Sequence, residues 1–272
     1  MARSKLRILC LGDSLTAGYS SLGAVYKPYS EQMVKLLRAA LPDVEIEAVE
    51  DGVPGQTTAG FLGRLDPHFG PGKPSYDWTI LLGGTNDLGY NHTAEAIFAN
   101  LAKCWDVAQA HGSKVLVLTV PEVGVRGGPA MQRIHAQRDE LNRLIRNAQG
   151  GNIFVHDHHA AVPFWAMSEK DRQLYWDDNV HLTPSGYDLM GQKIAARFLQ
   201  VLHQDGNPSG GPQTAKAEDE EQTAATTAAA TSSSRRTRSK VFKDDNLVFE
   251  EESGDSSRLG QGYVVVRKKD LE

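Results

Sequence analysis

The sequence predicts an α/β fold: a three-layer αβα sandwich around a five-stranded parallel sheet in flavodoxin-like order. Three observations predict it. Short apolar runs alternate along the chain with segments whose apolar residues recur at helical spacing, the pattern of strand–helix–strand units. Most of these runs are continuously apolar, as strands covered on both faces are. Several stop abruptly at Gly12, Gly83 or Pro121 and pass into polar loops. Such loops lie at the carboxyl edge of a parallel sheet, where ligands bind.

The elements follow in order. Ile8 to Leu11 is a short apolar run bounded by Gly12-Asp13-Ser14, which makes it a buried first strand. Pro28 sits at a first helical turn, and Tyr29, Met33, Leu36, Leu37, Ala40 and Leu41 carry the helical repeat until Pro42. Val44 to Val49 is a second strand, which leads into the Gly-rich loop Glu50 to Thr58. Trp78 to Leu82 is a third, running into Gly83-Gly84-Thr85-Asn86-Asp87. Ile97, Leu101, Trp105 and Ala108 mark the next helix. Val115 to Val120 is the fourth strand. Ile134, Leu141, Leu144, Ile145 and Ala148 mark another helix, closed by Gly150-Gly151 before the short fifth strand Ile153 to Val155. Thr183-Pro184, a capping residue and then proline, opens the last helix, with Met190, Ile194, Phe198 and Leu202 on its apolar face.

This organisation places a catalytic domain over residues 1–204. Beyond it, Gly, Pro, Ser, Thr and Ala replace the aliphatic residues, and an acidic run (Glu218 to Glu221) precedes a basic one (Arg235 to Lys240). Such a stretch buries too little apolar surface to offset its ordering entropy, so residues 205–240 are expected to be a disordered linker. Residues 241–272 contain the β-prone pieces Asn246 to Phe249 and Tyr263 to Val266, a candidate docking segment for a sheet edge or a protein partner. The basic run reads as a solvated charge cluster, with nuclear import as the alternative.

Composition narrows the function. With 40% hydrophobic and 23% charged residues among 272, the chain suits a globular protein with a sizeable core. A formal charge of -5 offers no basic face for nucleic acid. Cys10 and Cys104 are isolated, which fits a reducing compartment and neither a disulfide framework nor a metal cluster. No run reaches the roughly 18 apolar residues of a membrane span, and no leader is expected before the first strand. The expected address is the cytosol.

The chemistry begins with two weak signals. Ser14 stands at the end of the first strand, a useful place, although Gly12-Asp13-Ser14 also serves as a plain polar turn. Asp178 and His181 are three apart in an irregular loop before the last helix. There the carboxylate can accept the imidazole Nδ1–H and leave Nε2 free to take a proton from a hydroxyl. In chain order Ser…Asp…His, that is a base and its orienter for serine catalysis.

The ordered combination is a strong signal. Gly12-Asp13-Ser14-Leu15, Gly55 in Val53-Pro54-Gly55-Gln56-Thr57, Gly84-Thr85-Asn86-Asp87 and Asp178…His181 together resemble the SGNH-hydrolase (GDSL esterase/lipase) superfamily over residues 6 to about 202. The resemblance implies Ser14 as nucleophile, Asp178 and His181 as the rest of a catalytic triad, and an oxyanion hole built from Ser14, Gly55 and Asn86. It implies no cofactor and no metal. The loop from Glu50 to Thr58 looks most like the arylesterase branch, whose substrates are small or aromatic esters. One departure stands out: many members carry Asn early in this loop, where this chain has Glu50-Asp51. The chemistry demands such residues. An alkoxide forms when an ester carbonyl is attacked, so donors must face it. Gly55 lets backbone approach without a Cβ, and Asn86 must be an amide, since a carboxylate would repel the charge. Asp87 is expected to support its loop.

Rival motifs are missing: there is no G-x-S-x-G, G-x-G-x-x-G or G-x-x-x-x-G-K-[ST]. His156-Asp157-His158-His159 could be a metal cluster or a fragment resembling the DHH phosphoesterases, yet it lacks the separate Asp-rich motifs of a two-metal site, so the expectation is histidines on the surface or in a supporting layer behind the site. Tyr19 to Tyr29, Phe164-Trp165 and Tyr175-Trp176 are aromatic loop segments that would line an acyl pocket or anchor loops. The reading is therefore a serine esterase for small acyl or aryl esters. Its alternatives are a carbohydrate acetylesterase, a lysophospholipase-type acylhydrolase, or a binding protein that works through the charged tail.

Overall fold

A computed structural model describes residues 4–73 and 75–205; the linker and docking-segment expectations for the tail lie outside the described residues. Five strands form one sheet: β1 (Ser4–Gly12), β2 (Val44–Gly52), β3 (Trp78–Leu82), β4 (Lys114–Leu118) and β5 (Ile153–His156). All neighbours are parallel, in the order β2-β1-β3-β4-β5. The αβα sandwich and its flavodoxin-like order are as expected.

Side-chain alternation divides the core. Leu9, Leu11, Leu81, Val115 and Val117 face one side, where they pack with α2 (Phe61–Phe69), α3 (Ala94–Ala110) and α4 (Gly128–Asn147). Ile8, Cys10, Ile80, Leu82, Leu116 and Leu118 face the other, against α1 (Tyr29–Ala40) and α6 (Pro184–Asp205). Met33 and Leu37 of α1 meet Met190, Ile194 and Phe198 of α6 in that second core. Thr183 caps α6: its Oγ1 accepts the Gly186 N–H at 3.1 Å. Among the described residues, no helix is long and apolar enough to cross a membrane.

Three elements exceed the sequence expectation. Helix α2 carries Phe61, Leu65 and Phe69 on one buried stripe, but Gly63 and Pro67 interrupt its helical signature. Helix α5 (Glu169–Tyr175) has no buried residue, so it lacks the apolar repeat that reveals a helix. A hairpin of two-residue strands, Tyr19–Ser20 with Val25–Tyr26, follows the first strand's turn. The fourth strand is also shorter than its apolar run. It ends at Leu118 because the Asn142 side chain takes over the backbone of Val120, with Oδ1 accepting its N–H at 2.7 Å and Nδ2 donating to its carbonyl at 2.9 Å.

At the carboxyl end of β1 the chain has no spare volume. A Cβ on Gly12 would fall on Thr16 Oγ1 and on the Leu82 carbonyl of β3. Gly12→Ala is therefore expected to lower the unfolding free energy by roughly 1–3 kcal/mol, read from urea denaturation. An unchanged midpoint would mean that Thr16 and β3 yield at no cost.

Candidate active site

Ser14 opens a single helical turn, Ser14–Ala17, directly after β1. Asp13 caps that turn, its Oδ1 accepting the Leu15 N–H at 3.0 Å. The first N–H of a helical turn has no intrahelical acceptor, so Ser14 presents its backbone donor together with its hydroxyl. Asp13 is completely buried, and its Oδ2 has no hydrogen-bond partner among the described residues. Burial above all pushes its carboxyl up to about 6, against the opposing pull of the Leu15 N–H and His181.

The loop before α6 delivers the other half. His181 Nε2 lies 3.0 Å from Ser14 Oγ, and Nδ1 lies 2.9 Å from Asp178 Oδ2. Asp178 Oδ1 turns back to accept the N–H groups of Val180 and His181 at 2.6 and 2.5 Å. Partial burial raises the Asp178 carboxyl, but the His181 hydrogen bond and these backbone donors outweigh it and hold the group below the usual aspartate value. The loop is closed by Asp177 N–H to His181 carbonyl (2.9 Å) and Thr183 N–H to Tyr175 carbonyl (3.0 Å). Tyr19 packs its ring on the imidazole, with centroids 4.7 Å apart, and the Ser21 N–H donates to Asp177 Oδ2 at 2.6 Å. The hairpin therefore backs the histidine.

Gly55 sits in a tight turn in which the Gln56 N–H donates to the Val53 carbonyl at 3.2 Å. Its φ of 76° after Pro54 is the conformation that a proline-glycine turn of this kind demands. Its N–H has no acceptor among the described residues. Asn86 lies in the turn after β3 and donates one Nδ2 hydrogen to the Gln56 carbonyl at 3.0 Å. An amide nitrogen has two hydrogens, so one remains. The Val53 N–H donates to the Gly12 carbonyl at 3.1 Å, which ties this loop to the end of β1. The structure thus brings Ser14, His181 and Asp178 into one hydrogen-bonded chain and joins the Gly55 loop to Asn86.

Asp87 supports its loop, as expected. It is fully buried, and it accepts the Thr58 N–H at 2.9 Å and the Thr58 hydroxyl at 2.7 Å. The aromatic segments divide. Phe164 and Trp165 are loop anchors: both backbone N–H groups donate to Glu122 Oε2, Trp165 Nε1 donates to the Val123 carbonyl, and Arg126 covers the Trp165 ring at 3.8 Å. Tyr19 packs on a catalytic candidate, His181.

Of the two places expected for the histidine cluster, the surface is ruled out for His156 and His158, which are buried, with 7% and 1% exposure. Asp157 explains this by facing outward as a cap to Ala160 N–H and a partner of Arg146, which leaves its neighbours to point inward. The sequence reading also missed Arg64, whose guanidinium contacts Gly12, Asp51 and Gln56. A lone arginine in a segment broken by Gly60, Gly63 and Pro67 carries no signal in one sequence.

Residues 10–189 match the model of the GDSL-like lipase/acylhydrolase family. The chain is 23% identical over 201 residues to an arylesterase of Vibrio mimicus, covering 72% of this chain and 90% of that protein. It is 32% identical over 89 residues to an acetylxylan esterase of Geobacillus stearothermophilus, covering 30% and 40%. Among solved structures, a member of the lipolytic G-D-S-L family from Veillonella parvula superposes with a TM-score of 0.54 at 22% identity, over 72% of this chain and 99% of that one.

The buried histidines set a pH dependence. Burial pulls His156 down to about 4 and His158 to about 3, so both stay neutral in the fold while the unfolded chain takes up protons below about 6.5. Stability is full above that value and falls as the pH drops, by about 1.4 kcal/mol per pH unit for each histidine. Asp13, raised to about 6, opposes this with the same slope between its unfolded value near 3.9 and about 6. Urea denaturation of His158→Asn between pH 6 and 5 should therefore give a slope flatter than wild type by about 1.4 kcal/mol per unit. Identical slopes would show that His158 is not held neutral.

Proposed function

The chain belongs to the GDSL-like lipase/acylhydrolase family, and from that premise we propose that it is a serine esterase for small acyl or aryl esters, working through an acyl-enzyme. Membership of this family makes it a carboxylic ester hydrolase. One observation carries the mechanism: the hydrogen-bond chain Ser14 Oγ, His181, Asp178.

In the proposed reaction, Ser14 Oγ attacks the ester carbonyl as His181 Nε2 removes its proton. Asp178, held ionised, accepts Nδ1–H and balances the imidazolium. The oxyanion that develops on the former carbonyl oxygen takes hydrogen bonds from the Ser14 and Gly55 N–H groups and from the remaining Asn86 amide hydrogen. His181 then returns its proton to the departing alkoxide, and the alcohol leaves. A water molecule attacks the acyl-Ser14 ester by the reverse sequence, with His181 as base, and the free acid and Ser14 hydroxyl are restored. The scheme uses no cofactor.

The substrate class draws support from the similarity to the Vibrio arylesterase, which spans most of both chains. A carbohydrate acetylesterase is the second reading, favoured by the higher identity to the acetylxylan esterase over a shorter stretch. A lysophospholipase-type activity has less support, since Phe164 and Trp165 are occupied with anchoring loops. We place the activity in the cytosol on the strength of two free, buried cysteines, Cys10 and Cys104.

Ser14→Ala should abolish hydrolysis of 4-nitrophenyl acetate and labelling by a fluorophosphonate, a loss on the order of 10³-fold or more. Folded Ser14→Ala protein that still turns over the ester would sink the mechanism. Asn86→Ala should lower kcat on the order of 10²–10³-fold. Wild-type turnover in that variant would remove Asn86 from the oxyanion hole.

A further inference from the structure

Arg64 takes no part in the proposed steps, yet its guanidinium reaches three segments that build the site. Nη1 donates to the Gly12 carbonyl at 2.9 Å and to Gln56 Oε1 at 2.5 Å. Nη2 donates to both the backbone carbonyl of Asp51 and its Oδ1. The second Asp51 oxygen is held from the other side by His68 Nε2 at 2.8 Å, and His68 Nδ1 meets Tyr76 Oη at 3.1 Å. Gly12 lies two residues before Ser14, Asp51 is the last residue but one of β2, and Gln56 follows Gly55. Gln56 offers its side-chain oxygen to Arg64 and its backbone oxygen to Asn86.

We propose that Arg64 is the positioning residue of the oxyanion hole, clamping the loop that carries Gly55 to the strand end that carries Ser14. The inference rests on the roles given above to Ser14, Gly55 and Asn86. A proline-glycine turn sets its own shape but not its place relative to Ser14, whereas an oxyanion hole works only if its donors are aimed before the charge appears. The planar guanidinium supplies that placement, because its donors point in fixed directions and can engage a carbonyl, a carboxylate and an amide at once. The departure at Glu50-Asp51 gains a purpose. Asp51 gives Arg64 a charged anchor, and Glu50 Oε1 is satisfied locally by the Gly52 N–H at 2.5 Å.

A clamp on the hole differs from a brace on the sheet in its kinetic signature. Misaimed oxyanion donors cost transition-state binding, so they lower kcat and leave KM almost unchanged. The test begins with a fluorophosphonate titration of wild-type Ser14. Absence of label there would take down the serine-esterase reading and this inference with it. With labelling established, Arg64→Met and Arg64→Lys are assayed with 4-nitrophenyl acetate, per mole of folded protein. Arg64→Met is expected to lose on the order of 10- to 100-fold in kcat with KM within about twofold. Lysine, a point charge without the fork, should restore little of it. Inhibition by phenylboronic acid, whose Ser14 adduct is tetrahedral and anionic, should weaken in parallel with kcat.

Should the Arg64 variants fail to fold, Gln56→Ala removes one arm of the clamp and is expected to show the same kcat-only loss, smaller in size. Arg64→Met combined with Asn86→Ala should cost less than the product of the two single losses, since both act on one hole. Unchanged kcat and boronate affinity in folded Arg64→Met, or in Gln56→Ala, would overturn the proposal. A loss confined to KM, or full rescue by lysine, would overturn it too.

Discussion

The reversal of strand order at β1 is the constraint on which the site depends. From β1 the chain leaves to α1 on one face of the sheet, and from β3 it leaves to α3 on the other. The connections part and open a crevice at the carboxyl edge, the general place for ligands in open α/β sheets. Ser14 is the second residue past β1 and Asn86 the fourth past β3, so they flank that parting. Gly12 fits there because β3 passes too close for any side chain. The crevice is therefore held at its floor by backbone contact, which makes its geometry insensitive to the loops above. Those loops then need only small adjustments to bring donors and base to one point.

Legibility in the sequence followed the same division. The five strands were readable because each is a short apolar run ended by glycine, proline or a polar loop, and the four long helices because their apolar faces repeat. Helices α2 and α5 escaped, the first because Gly63 and Pro67 break its repeat, the second because nothing on it is buried. The site was readable where chemistry demands a residue type: a serine, an amide at Asn86, a glycine at Gly55, and an aspartate three before a histidine. It was not readable where the role is to hold. Arg64 serves through three partner residues that are 8 to 52 positions away, and only folding brings them together. The burial of His156 and His158 is not legible for a related reason. Their polarity pointed outward, whereas the outward position was already taken by Asp157.

Three carboxylates near the site show how environment divides labour among identical groups. Asp178 is partly exposed and accepts three donors, so its charge persists and can balance an imidazolium. Asp13 is sealed from water with one oxygen unpartnered, so its charge is costly, and its service is the hydrogen bond that holds the Ser14 turn. Asp51 is paired with a guanidinium and an imidazole, and it spends its charge on fixing a loop. An ionised Asp13 would compete with Asp178 for the same positive charge on His181, because His181 stabilises the charged form of both. Raising one carboxyl and lowering the other separates their titrations: Asp178 is already ionised over the whole range in which Asp13 begins to charge. Exchanging the two environments while keeping the residues would leave the histidine without an orienter and the serine turn under strain. The triad's geometry is therefore only half of the arrangement. The other half is the buried Asp13, whose Oδ1 is committed to the Leu15 N–H and so to holding the Ser14 turn.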